Sequence, residues 1–178
     1  YLHLGIRIQS TLTYRQLEAA TDRFAVALQK LGVRKGDRVA LMLPNMPQQV
    51  IAYFGAIKAG GIVVNTNPTY TARELQHLLQ DSGVETIVLI SGLYERLAPI
   101  RERTSVRNVI LTDIPDSLSW PFNKLAERQL RAVGMMKDIP ALPGHYRFDD
   151  LIKQASGQPA RVPLQPDDVV LFQYSSRS

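Results

Sequence analysis

Hydrophobic and polar positions along this chain follow two different periods in turn. One set of apolar residues recurs at intervals of three and four: Leu17, Ala20, Phe24, Leu28 and Leu31. This spacing predicts an amphipathic helix. Thr13 and Gln16 have the spacing of a capping box at its start, and Gly32 is typical of a helix end. The patterned part of the chain therefore begins with a helix between Thr13 and Gly32.

Other segments are apolar almost without interruption, which predicts buried strands. They cover residues 38–43, 62–64, 85–90, 108–111 and 169–174. Helical patterns lie between the first four of these segments. Asn45 is expected to cap one helix, with Pro47 in its first turn. Thr71 and Glu74 form a second capping box, and the helix that they begin is expected to stop at Gly83.

A further helix is expected over residues 93–103, so helices and strands alternate. This alternation predicts an α/β fold: a doubly wound, mainly parallel sheet with helices on both faces. We assign this layer to residues 13–112 of a single subdomain, 1–178, followed by a Pro-rich amphipathic insertion (113–145) and a linker with a last strand (146–178). Right-handed crossovers then predict ligand binding at the carboxyl ends of the strands.

The amino-acid composition limits the classes of protein to which this chain can belong. Hydrophobic residues make up 45% of the chain and charged residues 21%, which is typical of a globular domain. The absence of cysteine excludes disulfides, cysteine-based zinc sites and thiol catalysis. The formal net charge is +5, but the basic residues are dispersed without a run of five. Nucleic acid is therefore not expected as a partner.

Motifs that would place a catalytic centre within this chain are absent. No G-x-G-x-x-G follows a predicted strand, and the chain has neither a complete Walker loop nor a G-x-S-x-G motif. His3, His77 and His145 are isolated from one another, without the spacing of a metal pair. We therefore assign no catalytic residue and no metal ligand within the chain.

The insertion carries one apolar helical face, formed by Phe122, Leu125, Ala126, Leu130, Val133 and Met136. Lys124, Arg128 and Arg131 lie on the opposite face. Two interpretations stay open. In the first, the apolar stripe packs on the protein's own core. In the second, a membrane face rests weakly on an anionic lipid surface. The residues of this membrane face are Trp120, Phe122, Leu125, Leu130 and Val133.

The last predicted strand runs into small hydroxyl residues. Loops that bind phosphate commonly follow strands and use short side chains, because backbone N–H groups must reach the anion. We interpret Tyr174, Ser175 and Ser176 as the leading edge of a nucleotide phosphate loop. The glycines and the lysine that would complete such a loop do not follow before Ser178.

Several segments resemble, in order, the adenylate-forming enzymes, which include acyl-CoA synthetases, luciferases and peptide-synthetase adenylation domains. They are residues 12–17 (LTYRQL), 36–40 (GDRVA), 56–65 (AIKAGGIVVN), 67–70 (NPTY) and 167–176 (DDVVLFQYSS). The last of them resembles the lead-in to that family's phosphate loop. The resemblance extends along the whole chain and corresponds to roughly the first third of such an enzyme.

The resemblance implies a reaction in which a carboxylate attacks the α-phosphate of ATP and a thiol, usually that of coenzyme A, displaces AMP. ATP, Mg²⁺ and coenzyme A would serve the complete enzyme, and none is expected to bind this chain alone. The family's catalytic and Mg²⁺-binding residues fall beyond residue 178, so we expect the chain alone to be inactive. Arg177 stands where the family has glycine. It belongs either to a vector-derived tail, which we favour, or to an altered loop.

Residues 119–122 (SWPF) and 142–144 (LPG) resemble the insertion of bacterial long-chain fatty-acid ligases. This resemblance implies a long-chain fatty acid as substrate and a cytoplasmic location, with peripheral contact at the inner face of the cell membrane. Two alternatives stay open. One is a fatty-acyl-AMP ligase or amino-acid adenylation domain that delivers to a carrier protein, and the other is a non-catalytic α/β binding module. Because the strand over 169–174 would leave an unpaired edge, we also expect self-association.

Overall fold

The computed structural model describes residues 12–117 and 122–174. Helices and strands alternate through these residues: α1 (Tyr14–Lys30), β1 (Arg38–Met42), α2 (Pro47–Lys58), β2 (Ile62–Asn65), α3 (Ala72–Ser82), β3 (Thr86–Ile90), α4 (Tyr94–Leu97), β4 (Asn108–Thr112), α5 (Phe122–Ala132), β5 (His145–Arg147), α6 (Phe148–Gln154) and β6 (Leu171–Gln173). Short 3₁₀ turns cover Ser91–Leu93, Arg101–Arg103 and Ile114–Ser117.

The strands of the described residues form one six-stranded sheet in the order β5-β4-β3-β1-β2-β6. Every neighbouring pair is parallel. Val39 of β1 lies opposite Val63 of β2 on one side and opposite Thr86 of β3 on the other. The chain leaves β1 towards β2 and then crosses back to β3, which is the topology of a doubly wound sheet. The predicted α/β fold class is confirmed.

Alternate residues of each strand enter two different cores, because successive strand side chains point to opposite faces. On one face, Val39 and Leu41 pack with Phe24 of α1 and Phe148 of α6, whose ring centroids are 4.7 Å apart. The other face packs against α3 and α4, and its buried members include Ala40, Met42, Leu75, Leu79, Ile87, Leu89 and Leu97. Helices therefore cover both faces of the sheet.

The two capping boxes are present as predicted. The backbone N–H of Gln16 donates to the Thr13 hydroxyl, and the Gln16 side chain accepts from the Thr13 backbone. In α3 the Thr71 N–H donates to Glu74 Oε2 at 2.8 Å, which helps to lower the pKa of that carboxyl. Gly83 then ends α3 with a φ of 62°, in the left-handed region that favours glycine.

Two details of the predicted helices are wrong. The N-cap of α2 is Met46 and not Asn45, and it makes no side-chain capping bond. Pro47 at the first helical position removes one of the donors that a cap would satisfy. The helix expected over 93–103 is broken into α4 and two 3₁₀ turns. Pro99 lies in its middle, where it has no N–H to donate and disfavours a helical residue before it.

The two edges of the sheet also differ from expectation. The last strand is not buried: Val169 is 54% and Leu171 36% exposed, because β2 is the one neighbour of β6 within residues 12–117 and 122–174. The expected self-association through this edge stays a prediction. At the opposite edge β5 adds a strand that sequence analysis missed, since His145, Tyr146 and Arg147 do not form an apolar run.

The capping box of α3 gives a direct test of local stability. Thr71→Ala removes the hydroxyl that accepts from the Glu74 N–H and is expected to lower the free energy of unfolding by about 1 kcal/mol. Urea unfolding followed by circular dichroism would measure the loss. His77→Ala, an exposed substitution in the same helix, is the matched control and should change stability by less than about 0.5 kcal/mol. Equal losses in both variants would contradict the capping assignment.

Candidate functional site

A cavity of 310 Å³ opens at the carboxyl ends of β1, β2 and β6. This is the side of the sheet where the parallel topology predicts ligand binding. The residues that line it are Leu43, Asn45, Gln49, Asn65, Thr66, Asn67, Pro68, Tyr70, Gln173 and Tyr174. The set is dominated by amides and hydroxyls, and none of these lining residues is charged. The cavity therefore offers hydrogen-bond donors and acceptors without a carboxylate that would repel an anion.

Two amides join the ends of β2 and β6 beside this cavity. The Asn65 Nδ2 donates to Gln173 Oε1 at 2.8 Å, and the two residues are register partners in the parallel pair. Asn65 and Gln173 are exposed, so water competes for the bond and its net contribution to stability is modest. Its main consequence is geometric, because it fixes the position of the last residue of β6.

Tyr174 follows β6 directly and is the one member of the predicted phosphate loop within the described residues. Its phenol donates to Asp81 Oδ2 at 2.6 Å, and its ring packs at the margin of the core that covers α3. Partial burial, and then the bond to Asp81, raise the pKa of Tyr174 to about 12. The phenol therefore stays protonated at neutral pH and donates a hydrogen bond. Ser175 and Ser176 lie outside the described residues.

The loop between β2 and α3 is held against the cavity by an arginine that sequence analysis missed. Arg96 Nη1 of α4 donates to the backbone carbonyls of Pro68 and Tyr70, the latter at 3.0 Å. Within the loop, Asn67 Oδ1 accepts from the Thr69 N–H and hydroxyl at 2.9 and 2.8 Å. The sequence held no direct signal for the Arg96 contacts, since the residue lies 26 positions beyond Tyr70.

A second polar cluster lies at the carboxyl ends of β3 and β4. The Ser91 hydroxyl donates to Asp113 Oδ1 at 2.7 Å, and the Ser91 N–H donates to the same oxygen at 3.1 Å. Arg147 donates to Asp113 and Asp116 at 3.4 and 3.1 Å. Asp113 is only 1% exposed, and this burial raises its pKa despite the Ser91 and Arg147 contacts. An aspartate two residues after the predicted strand 108–111 was the available signal for this cluster.

The same cluster fastens the end of the insertion to the sheet. The Lys137 N–H donates to the Ser91 hydroxyl at 2.8 Å, and the Lys137 side chain pairs with Glu95. Gly92 lies against the backbone of Met135, where an added Cβ would come within 2.5 Å of the carbonyl oxygen. Ser91 and Asp113 therefore act as a structural junction, with their hydrogen-bonding groups directed to the protein itself.

The structure divides the residues of the predicted membrane face. Leu125 is 47% and Val133 61% exposed, whereas Leu130 is 3% exposed. Leu130 is thus wrongly placed on an exposed face, because α5 turns that side towards the 3₁₀ turn Ile114–Ser117. Ala126 is buried as well, so the core-packing interpretation holds for part of the stripe. Trp120 and the side chain of Phe122 lie outside what the structure describes.

The basic face of α5 is largely neutralised by acidic neighbours. Lys124 and Arg131 both pair with Glu127, at 3.1 and 3.2 Å. Arg131 also pairs with Asp138 at 2.7 Å.

Over residues 12–117 and 122–174, no group of histidine, aspartate and glutamate side chains has a metal-binding arrangement. Within the same ranges, no helix combines the length and the apolar character needed to cross a bilayer.

Comparisons of this sequence with family models and with curated proteins indicate the same family. The family model described as AMP-binding enzyme matches residues 4–178. A long-chain-fatty-acid–CoA ligase of Salmonella typhimurium is 49% identical over 172 residues, and one of Escherichia coli O157:H7 is 39% identical over 178 residues. Each match covers 96% of this chain and 31% of the relative. The chain thus spans about a third of the length of these curated relatives.

Solved structures show the same fold. A fatty acyl CoA synthetase of Mycobacterium tuberculosis superimposes with a TM-score of 0.68 at 25% identity, over 93% of this chain and 27% of that chain. An acyl-CoA synthetase of Brucella canis gives a TM-score of 0.73 at 20% identity, over 94% of this chain and 26% of that chain. At 20% identity, the similarity to the Brucella canis structure concerns the fold alone.

The Ser91–Asp113 contact predicts that a substitution of Ser91 will lower the free energy of unfolding by an amount that depends on pH. Because burial favours the neutral carboxyl, the stability linked to Asp113 is fully present below the ordinary aspartate pKa and falls as pH rises through the raised pKa. Ser91→Ala removes the hydroxyl donor that lowers this pKa and leaves the backbone N–H, so it should destabilise the fold by about 1–3 kcal/mol near pH 7 and by less near pH 4. Urea unfolding at both pH values, with the exposed Ser156→Ala as control, measures the difference. A loss independent of pH would contradict the assignment.

Proposed function

Because the chain belongs to the AMP-binding enzyme family, we propose that it is the N-terminal part of a long-chain fatty-acid–CoA ligase. The observation that carries this proposal is the identity of 39–49% over nearly the whole chain to relatives that bear that name. The position of Tyr174 supports it, since β6 delivers this residue to the carboxyl edge of the sheet beside a polar cavity.

In the proposed reaction a fatty-acid carboxylate attacks the α-phosphate of ATP, forming a P–O bond and releasing pyrophosphate. The thiol of coenzyme A then attacks the acyl carbon and releases AMP. Such transfers depend on positioning and on charge stabilisation. This chain would contribute the sheet edge that carries the phosphate loop and the neutral lining of the cavity, which fits a polar ligand beside phosphate. Mg²⁺, when bound, would neutralise phosphate charge, and we place its ligands and the catalytic residues outside this chain.

Two alternatives make different predictions. A fatty-acyl-AMP ligase or amino-acid adenylation domain would form the adenylate but deliver it to a carrier protein. A non-catalytic binding module would do neither. The names of the curated relatives favour coenzyme A as acceptor and a long-chain fatty acid as substrate.

We further propose a cytoplasmic protein that touches the inner face of the membrane through Leu125 and Val133. These two side chains are exposed next to the insertion's basic residues, and long-chain acids partition into lipid. The ion pairs of Glu127 with Lys124 and Arg131 weaken the electrostatic part of this attraction. Apolar insertion would then supply most of the binding energy.

The ligase activity can be measured in the complete natural protein that contains this sequence. With MgATP and coenzyme A, palmitate should support release of AMP and formation of palmitoyl-CoA, with short-chain acids and amino acids at least about tenfold less effective in kcat/KM. Residues 1–178 alone should be inactive. Accumulation of acyl-AMP without transfer to coenzyme A would favour the carrier-protein alternative, and no turnover of any carboxylic acid would favour the binding module.

The membrane contact is tested by sedimentation with phosphatidylglycerol vesicles. Leu125→Glu places a charge in the proposed contact and should reduce the bound fraction of the complete protein at least about threefold. Phe54→Glu is the matched control, since Phe54 lies on α2 and is 48% exposed. Binding that is absent in the unmodified protein, or equally reduced in both variants, would contradict the proposal.

A further inference from the structure

We propose that Asp81 is a positioning residue for the adenylation step: through Tyr174 it fixes the point at which the phosphate loop leaves the sheet. This inference rests on the proposed function, because it requires residues 174–176 to begin a loop that contacts ATP. Asp81 lies in the last turn of α3 and belongs to none of the motifs that identified the family.

The contact joins two elements that are distant in sequence. Asp81 Oδ2 accepts from the Tyr174 hydroxyl at 2.6 Å across a separation of 93 residues. A hydroxyl that donates to a carboxylate forms one of the stronger hydrogen bonds in proteins. A tyrosine phenol is protonated throughout the neutral range, and the raised pKa of Tyr174 extends that range upward, so this donor is present.

The strand end has few other restraints. β6 has three residues and, among the strands that the structure describes, pairs only with β2. Gln173 and Tyr174 are consecutive in extended chain, so their side chains point to opposite faces of the sheet. Gln173 bonds to Asn65 on β2, and Tyr174 bonds to Asp81 on α3. The two bonds together fix both the place and the direction of the backbone immediately before Ser175.

Backbone placement matters here because a phosphate loop acts through its N–H groups. Misplacing catalytic groups by about 1 Å costs up to roughly a hundredfold in rate. Loss of the Asp81 contact should therefore weaken the step that uses ATP. The later transfer of the acyl group to coenzyme A no longer involves the pyrophosphate and should be little affected.

The experiment measures the two half-reactions separately in the complete protein. ATP–pyrophosphate exchange with palmitate reports adenylation, and palmitoyl-AMP with coenzyme A reports transfer. Asp81→Ala and Tyr174→Phe should each lower kcat/KM for ATP about tenfold and leave transfer within about twofold. The double variant should be no worse than either single variant, because both remove the same bond. Asp81→Asn retains an acceptor and should recover most of the exchange rate.

Two exposed residues serve as matched controls: Tyr14→Phe and Glu102→Ala should leave both half-reactions unchanged. Exchange rates of the Asp81 and Tyr174 variants equal to those of the unmodified protein would overturn the positioning role. Additive losses in the double variant, or equal losses in both half-reactions, would overturn it too, since they indicate separate effects or general damage to the fold. No exchange in the unmodified protein with any carboxylic acid would instead refute the proposed function, and this inference with it.

Discussion

Burial of the sheet on both faces is the constraint on which the rest of this structure depends. The four residues from Val39 to Met42 are at most 1% exposed, because α1, α2 and α6 cover one face and α3 and α4 the other. A polar side chain within these strands would lose its hydration without a partner. Polar chemistry is therefore confined to the ends of the strands, and the parallel arrangement collects the carboxyl ends at one edge.

The outermost strand shows what happens where this constraint is relaxed. In the described part of the chain β6 pairs with β2 alone, and Leu171 is 36% exposed. Apolar burial therefore stabilises β6 less than β1. Side-chain hydrogen bonds from Gln173 and Tyr174 replace part of the missing packing. An element fixed by a few polar bonds is sensitive to single substitutions that a buried strand would tolerate, and it is this element that leads into residues 175 and 176.

Whether a feature could be predicted from the sequence depends on how far apart in the sequence its interacting residues lie. The capping boxes at Thr13 and Thr71 were found because their partners lie three residues away, and the central strands were found because both faces are buried. Leu130 was misassigned because helical spacing identifies an apolar stripe but not what covers it. β5 was missed because its pairing with β4 lies in the tertiary structure and not in its composition. The Arg96 and Asp81 contacts likewise join residues far apart in sequence.

The carboxyl edge itself has two halves of different chemistry, and this difference indicates which half is available for a ligand. A doubly wound sheet ordinarily binds its ligand where the chain reverses direction, here between β1 and β3. Next to that place, at the carboxyl ends of β3 and β4, Gln48 donates to the Asp113 carbonyl, and the Asp113 side chain accepts from Ser91 and Arg147. Ser91 and Asp113 are buried and hold the insertion, and replacing their bond with bonds to a ligand would release Lys137 as well. Beside β2 and β6 the Asn65 and Gln173 amides bond to each other and Asn67 bonds within its own loop. None of these bonds holds the insertion, so the fold leaves its open polar surface next to Tyr174.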